Sequence, residues 1–245
     1  MKRSTRLSPT FHAMFERPHH QRIARVLQAL DADLLRQHGC LFGGGTCITL
    51  RFGEYRESVD MDFLISNPTG YRELRQILTS AQGMASITRA GAIPLIVQRE
   101  IRADQYGIRT QLLMDNEPIK FEIVREARIT LDAPGPTDIL CSISTLTLTD
   151  LAASKLLANA DRHADDGIFS RDLIDLAMLN LDLARLRQAL AKAESAYGQA
   201  IRRDLNTAIE RMHQRHGWLE RCMQAMTIDI PQAQLWQRIR ALKRL

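Results

Sequence analysis

The sequence predicts an α+β protein in which a strand-bearing half precedes an all-helical half. Three observations carry that expectation. Stretches of strand character lie before residue 140. Helical periodicity then runs from Leu148 to the end of the chain. Between them stands Ala133-Pro134-Gly135-Pro136, the stretch richest in residues that end regular structure. The expected division is a mixed-sheet part over 1–140 and a helical part over 141–245, with the boundary between about 130 and 148.

The elements follow in order. Residues 1–17 carry no pattern and are expected to be irregular and loosely held. Pro18 suits the first turn of a helix, and Ile23, Val26, Leu27, Leu30, Leu34 and Leu35 form one apolar stripe on a helix reaching about His38. Leu41-Phe42-Gly43-Gly44-Gly45-Thr46 enters a Gly-rich turn, and one or two helical turns fit residues 46–52. Residues 58–65 alternate polar and apolar side chains over their first six positions and read as a strand, closed by Asn67-Pro68-Thr69-Gly70. A helix is expected over about 71–80, and strands over 93–102, 107–114 and 119–125. Asp115-Asn116-Glu117-Pro118 supplies the turn between the last two. Thr149 is the expected N-cap of the first helix in the C-terminal series.

Composition bounds the function. The chain has 245 residues, 45% hydrophobic and 25% charged, which is ordinary globular composition and excludes disordered or collagen-like proteins. No apolar run approaches the roughly 18 residues of a membrane span, so no membrane attachment is expected. Met1-Lys2-Arg3-Ser4 is basic but no apolar stretch follows, which argues against a secretory signal. Cys40, Cys47, Cys141 and Cys222 make no metal-binding or redox spacing and read as small hydrophobes in a reducing cytoplasm. Charge is uneven. Residues 1–175 carry 21 Lys and Arg against 22 Asp and Glu, whereas residues 176–245 carry 12 against 6. A segment of net +6 suits either a polyanionic partner or solvated helix faces.

The chemistry concentrates in Gly44, Gly45 and Thr46 followed by Arg56, Ser58, Asp60 and Asp62. Residues two apart on a strand share a face. Arg56, Ser58, Asp60 and Asp62 would then line one side while Val59, Met61 and Phe63 enter the core. Two neighbouring carboxylates repel unless a cation lies between them, and carboxylate oxygens with substrate phosphates are what magnesium prefers. A Gly-rich turn lets backbone N–H groups approach phosphates, and Arg56 and Ser58 add donors. A DxD pair or a glycine run means little alone; their conjunction about 15 residues apart is the specific signal. His163 has no partner at metal-ligand spacing and reads as a surface residue, and His213 and His216, i and i+3 on a basic helix, are assigned no catalysis. His19-His20 reads as an exposed helix start, and Trp218 and Trp236 read as core anchors of amphipathic helices.

The stretch from Gly44-Gly45-Thr46 through Gly53, with Arg56, Ser58, Asp60, Met61, Asp62 and Phe63, resembles the first motif of the AbiEii-type nucleotidyltransferase toxins. These belong to the DNA polymerase β-like nucleotidyltransferase superfamily. Lys120-Phe121-Glu122-Ile123 resembles the second motif, and Leu151–Leu156 with Arg171-Asp172-Leu173-Ile174-Asp175-Leu176 resembles the third. The resemblance implies a polymerase β-like mixed-sheet domain and two-metal transfer of a nucleotide from an NTP. Asp60, Asp62 and Glu122 would bind two Mg2+ ions. Gly44, Gly45, Thr46, Arg56, Ser58, Lys120 and Lys155 would position the nucleotide, with Asp172 fixing Lys155. Arg171 and Asp175 would help close the site. On the residues alone, Glu122 could be a surface group and Lys155 a snorkelling one, and Arg171 and Asp175, i and i+4 on a helix, could simply pair. The resemblance further implies a toxin whose acceptor is an RNA such as a tRNA 3′ end, and a cognate antitoxin. Modification of a small molecule or protein, or nucleotide binding without turnover, are the competing readings.

Overall fold

The computed structural model describes residues 14–245. The expectation for residues 1–13 lies outside that range. The N-terminal stripe forms two helices rather than one: α1 (Pro18–Ala29) and α2 (Ala32–Gln37). The break at Leu30 has a tertiary cause. Leu30 makes a β-bridge with Thr88, the Asp31 amide donates to the Ile87 carbonyl at 2.9 Å, and the Asp31 carboxylate caps α2 by accepting from Leu34 N.

β1 (Leu41–Gly43) leads directly into α3 (Gly44–Arg51), and β2 (Met61–Ile65) follows. Then come α4 (Pro68–Leu78), capped by Asn67, and the strands β3 (Ile96–Ala103), β4 (Gly107–Met114) and β5 (Glu117–Arg125). Asp115 and Asn116 both have positive φ, +53° and +63°. That is the backbone of a two-residue hairpin turn matched to strand twist. A short ribbon, β6 (Ile139–Leu140) and β7 (Ile143–Ser144), spans the predicted boundary. Six helices complete the chain: α5 (Leu148–Arg162), α6 (Arg171–Met178), α7 (Leu183–Tyr197), α8 (Ala200–Gln214), α9 (Trp218–Ala225) and α10 (Gln232–Ala241). The N-cap of α5 is Thr147, not Thr149: its hydroxyl accepts from Asp150 N at 3.1 Å.

The α+β expectation holds. The five-stranded sheet has the order β1-β2-β5-β4-β3; β2 and β5 are parallel and the other neighbours antiparallel. Strand alternation assigns its two faces. Met61, Phe63 and Ile65 of β2 and Ile119, Phe121 and Ile123 of β5 are buried on one side. Phe42, Phe63 and Phe121 pack across three strands with successive ring centroids 5.3 Å apart, a tilted geometry that suits aromatic quadrupoles. The opposite face presents Asp62, Leu64, Lys120, Glu122 and Val124. The regular strand starts only at Met61, so Val59 is exposed rather than core. One hydrophobic cluster joins the sheet to α5, α6 and the helices beyond them, which brings the polar face of the sheet opposite α5.

Candidate active site

The two glycines after β1 are where backbone and side chains come closest. Gly43 pairs with Asp62 across β1 and β2, which sets Gly44 against the Asp62 side chain. Gly44 has φ +68°, and a Cβ there would lie 2.5 Å from Asp62 Oδ2. A Cβ on Gly45 would overlap the Arg56 guanidinium and sit 3.0 Å from Asp175 Oδ2. No larger residue fits either place without displacing a charged group. The Thr46 hydroxyl bonds Ser58 Oγ at 2.7 Å and donates to the Asp60 carbonyl. It thereby ties α3 to the chain entering β2.

Asp60 and Asp62 face a cavity of about 710 Å³. Among the described residues neither carboxylate accepts a hydrogen bond or forms an ion pair. Burial, and then repulsion from Asp60, raise the Asp62 pKa. Two crowded carboxylates with no directly bonded cation, Lys120 and Lys155 acting only at a distance, are a donor set of hard oxygens that suits a divalent cation. Glu122 lies in register with Asp62 across the parallel pair, but its oxygens are taken. Lys120 Nζ stands 2.7 Å from Oε2, and Arg109 Nε donates to Oε1 at 2.6 Å. Burial favours the neutral Glu122, yet these two cations hold its pKa below the usual range. Among the described residues no group of three His, Cys, Asp or Glu side chains is gathered as a metal cluster. The observed fit is therefore to the Asp60–Asp62 pair.

Behind this pair lies a buried charge network. Lys155 Nζ sits 3.0 Å from Asp172 Oδ1 and 2.7 Å from Asp175 Oδ2. Asp175 also takes Arg56 through two bonds, 2.7 and 3.0 Å, and the Tyr55 hydroxyl at 2.6 Å. Burial opposes the charge on Lys155, but Asp175 and Asp172 outweigh it and raise its pKa. Burial likewise opposes ionisation of Asp175, but Arg56 and Lys155 hold its carboxyl far below the usual range. Arg56 lines the cavity, and three of its five N–H donors go to Asp175 and to the Glu57 carbonyl, so it braces the framework while facing the site. One expectation is corrected here. Asp175 pairs with Arg56 and Lys155, not with Arg171, because α6 turns it toward α3 and α5.

Of the residues singled out in the sequence, Gly44, Gly45, Thr46, Arg56, Ser58, Asp60, Asp62, Lys120, Glu122, Lys155 and Arg171 all line the one cavity. Asp172 and Asp175 stand behind it. Sequence reasoning missed Arg109, Arg128 and Arg162. Arg162 lies seven residues after Lys155, on the same helical face, and takes Asp172 through bonds of 2.7 and 3.0 Å; its spacing could have revealed it. Arg109 could not be found that way, because it reaches Glu122 only through the pairing of β4 with β5.

His20 was also misjudged: it is fully buried. Its Nε2 accepts from Ser58 N at 3.2 Å, so Nδ1 carries the proton and donates to Glu54 at 2.7 Å. Burial lowers its pKa from 6.5, against the opposing pull of Glu54. The unfolded chain therefore takes up a proton first on acidification. His20 is expected to make stability fall as pH drops below about 6.5, and a His20→Gln variant should flatten that slope in chemical denaturation. Equal slopes in the two proteins would refute the assignment.

A mixed sheet with its DxD strand beside a Gly-rich helix start faces a cavity of about 710 Å³ lined by both acidic and basic side chains, an arrangement suited to a nucleotidyltransferase. The family comparison agrees. The model described as nucleotidyl transferase AbiEii toxin, type IV toxin–antitoxin system, matches residues 25–240. The chain belongs to that family, whose toxins act on nucleoside triphosphates and have antitoxin partners. The structure of JHP933 from Helicobacter pylori superposes with a TM-score of 0.53 at 14% identity, covering 94% of each chain. That likeness shows a shared fold. MenT4, a nucleotidyltransferase toxin from Mycobacterium tuberculosis H37Rv, superposes with a TM-score of 0.48 at 17% identity, over 94% of this chain and 86% of that one. No curated protein matches the chain. Among the described residues no helix is long and apolar enough to cross a membrane.

Proposed function

We propose that this toxin is a magnesium-dependent enzyme of the cytoplasm that transfers NMP from an NTP to an RNA acceptor, such as a tRNA 3′ end, and so stops translation and growth. The observation that carries the reading is the unpaired Asp60–Asp62 couple at the mouth of a cavity whose wall holds the buried Lys155. Asp60 and Asp62 would hold the two Mg2+ ions, joined by Glu122 once it gives up Lys120 or Arg109; when bound, the ions would lower the pKa of the attacking hydroxyl and neutralise the triphosphate.

The chain's own residues align the reactants. Backbone N–H groups at Gly44 and Gly45 receive phosphate oxygens at the start of α3, and the Thr46 and Ser58 hydroxyls, bonded to each other and to the Asp60 carbonyl, hold that turn against the carboxylate strand. Lys155, fixed by Asp172 and Asp175, presents a permanent positive charge to the triphosphate. Lys120 and Arg171 add cations at the rim. Glu122, kept ionised by Lys120 and Arg109, stands on the side of the acceptor hydroxyl. The hydroxyl oxygen bonds the α-phosphorus while the bond to the β-phosphate oxygen breaks. Pyrophosphate leaves with the bonding pair, and the hydroxyl proton passes to solvent. Such transfer depends chiefly on alignment and charge, which these residues supply.

The test is a transfer assay. Protein and magnesium are supplied with each of the four labelled NTPs and total tRNA, beside an Asp60→Ala/Asp62→Ala variant. Label entering RNA only with the intact carboxylates is the expected result. Label on a protein or small molecule instead would retain the chemistry and reject the acceptor.

A further inference from the structure

Beside the cavity two arginines pair with a single carboxylate, and a third stands next to them. Arg215 Nη2 lies 2.9 Å from Asp166 Oδ2, and Arg211 Nη2 lies 3.1 Å from Oδ1. Arg221 stands with them, its guanidinium 5.7 Å from the centre of the Trp218 ring, where Arg215 lies at 4.1 Å. Among the described residues Arg221 has no carboxylate partner, and Arg211 and Arg215 keep about a third of their side-chain surface exposed. Three guanidinium groups beside one carboxylate, only two of them paired with it, leave a surplus of positive charge. An ion pair built only for stability needs one cation per anion.

The cluster is joined to the catalytic cavity. Asp166 opens the loop whose Gly167, Ile168 and Phe169 line that cavity, and Arg171, at the end of the loop, lines it too. Among the described residues Arg171 has no ion pair. Phe169 and Ser170 both adopt left-handed backbone, φ +52° and +51°, a conformation that is strained for non-glycine residues and persists only when the surroundings enforce it. Trp218 enforces it: its Nε1 donates to Ser170 Oγ at 3.0 Å, and its ring stacks on Phe169 with centroids 6.3 Å apart. α9, which carries Trp218 and Arg221, ends at Ala225, and Ala225, Met226 and Thr227 form another part of the cavity wall. Arg221 therefore sits on a helix that walls the site, and Arg211 and Arg215, at the end of α8, are held to it through Asp166.

We propose that Arg211, Arg215 and Arg221, with Arg171 as the step toward the carboxylates, form a docking surface for the phosphodiester backbone of the RNA acceptor, behind the nucleotide that receives the transfer. The proposal rests on the RNA-acceptor reading. Its chemistry is specific: guanidinium forks engage phosphate oxygens in pairs, and the stacking on Trp218 pre-organises two of them. Asp166 spaces the arginines and keeps their mutual repulsion in check.

The test uses an Arg211→Gln/Arg221→Gln variant, which leaves the Arg215–Asp166 anchor of the loop intact. The full-length protein is assayed with labelled NTP and tRNA, and NTP binding is measured separately without RNA. The KM for tRNA is expected to rise about tenfold while NTP affinity stays within twofold. The plot of log K against log salt for tRNA binding should become shallower by about 1.4–1.8, the loss of two phosphate contacts. Arg211→Lys/Arg221→Lys should recover most of the lost binding, since the charge returns. An unchanged KM and salt slope in a protein whose wild type labels tRNA would overturn this inference alone. Loss of NTP binding in the double variant would make the cluster structural and overturn it as well. A wild-type protein that labels no RNA would remove the acceptor reading first, and the docking surface with it.

Discussion

Replacing Asp62 by Asn is expected to abolish nucleotidyl transfer and at the same time raise the melting temperature. The loss follows from removing one carboxylate of the pair proposed to hold the metal. A 10³-fold fall in rate, or about 4 kcal/mol at the transition state, is the scale expected. The gain follows from electrostatics. Burial and Asp60 raise the Asp62 pKa above 3.8. A carboxyl whose folded pKa lies above its unfolded value loses stability for the fold as pH rises through that interval, and the deficit persists at neutral pH. Asn keeps the shape and removes the charge. The same reasoning predicts that magnesium raises the melting temperature of the wild type by mass action and leaves the Asp62→Asn variant almost unmoved. Thermal unfolding of both proteins with and without the ion decides the matter. A wild type whose melting temperature ignores magnesium would sink the metal assignment independently of any activity assay.

Asp175→Ala should produce the largest loss of stability available from a single polar residue here. Asp175 is fully buried and accepts from Tyr55, Arg56 and Lys155. Removing it strands the buried Arg56 guanidinium and leaves Lys155 with Asp172 alone, and breaking a buried pair in that way costs about 3–5 kcal/mol. Against a total domain stability of about 5–15 kcal/mol, that is a large fraction. Arg56→Met alongside Asp175→Ala should recover part of the loss, because one stranded charge is replaced by an apolar side chain of similar length. Chemical denaturation of the two variants and the wild type measures both quantities. Equal unfolding midpoints for Asp175→Ala and wild type would show that the network carries no stability.

Local pattern made much of the site legible. The alternation of residues 58–65 put Asp60 and Asp62 on one face and Met61 and Phe63 on the other, and the same rule placed Lys120 with Glu122. The spacing of Gly44, Gly45 and Thr46 before that strand pointed to a phosphate cradle, and all of these residues line one cavity. Such features survive in sequence because face and turn are decided by neighbours within a few positions. What stayed hidden depended on segments far apart in the chain. Arg56 read only as a phosphate donor because its partner Asp175 stands 119 residues later. The stripe from Ile23 to Leu35 read as one helix because the bridge from Leu30 to Thr88 lies outside any local window. His20 read as exposed because its partners, Glu54 and Ser58, arrive only when α1 packs beside the turn before β2. The sequence by itself determined which side chains share a face; the tertiary structure decided which charges meet, because a buried ion pair is selected by the whole packing around it and not by the residues beside it in the chain.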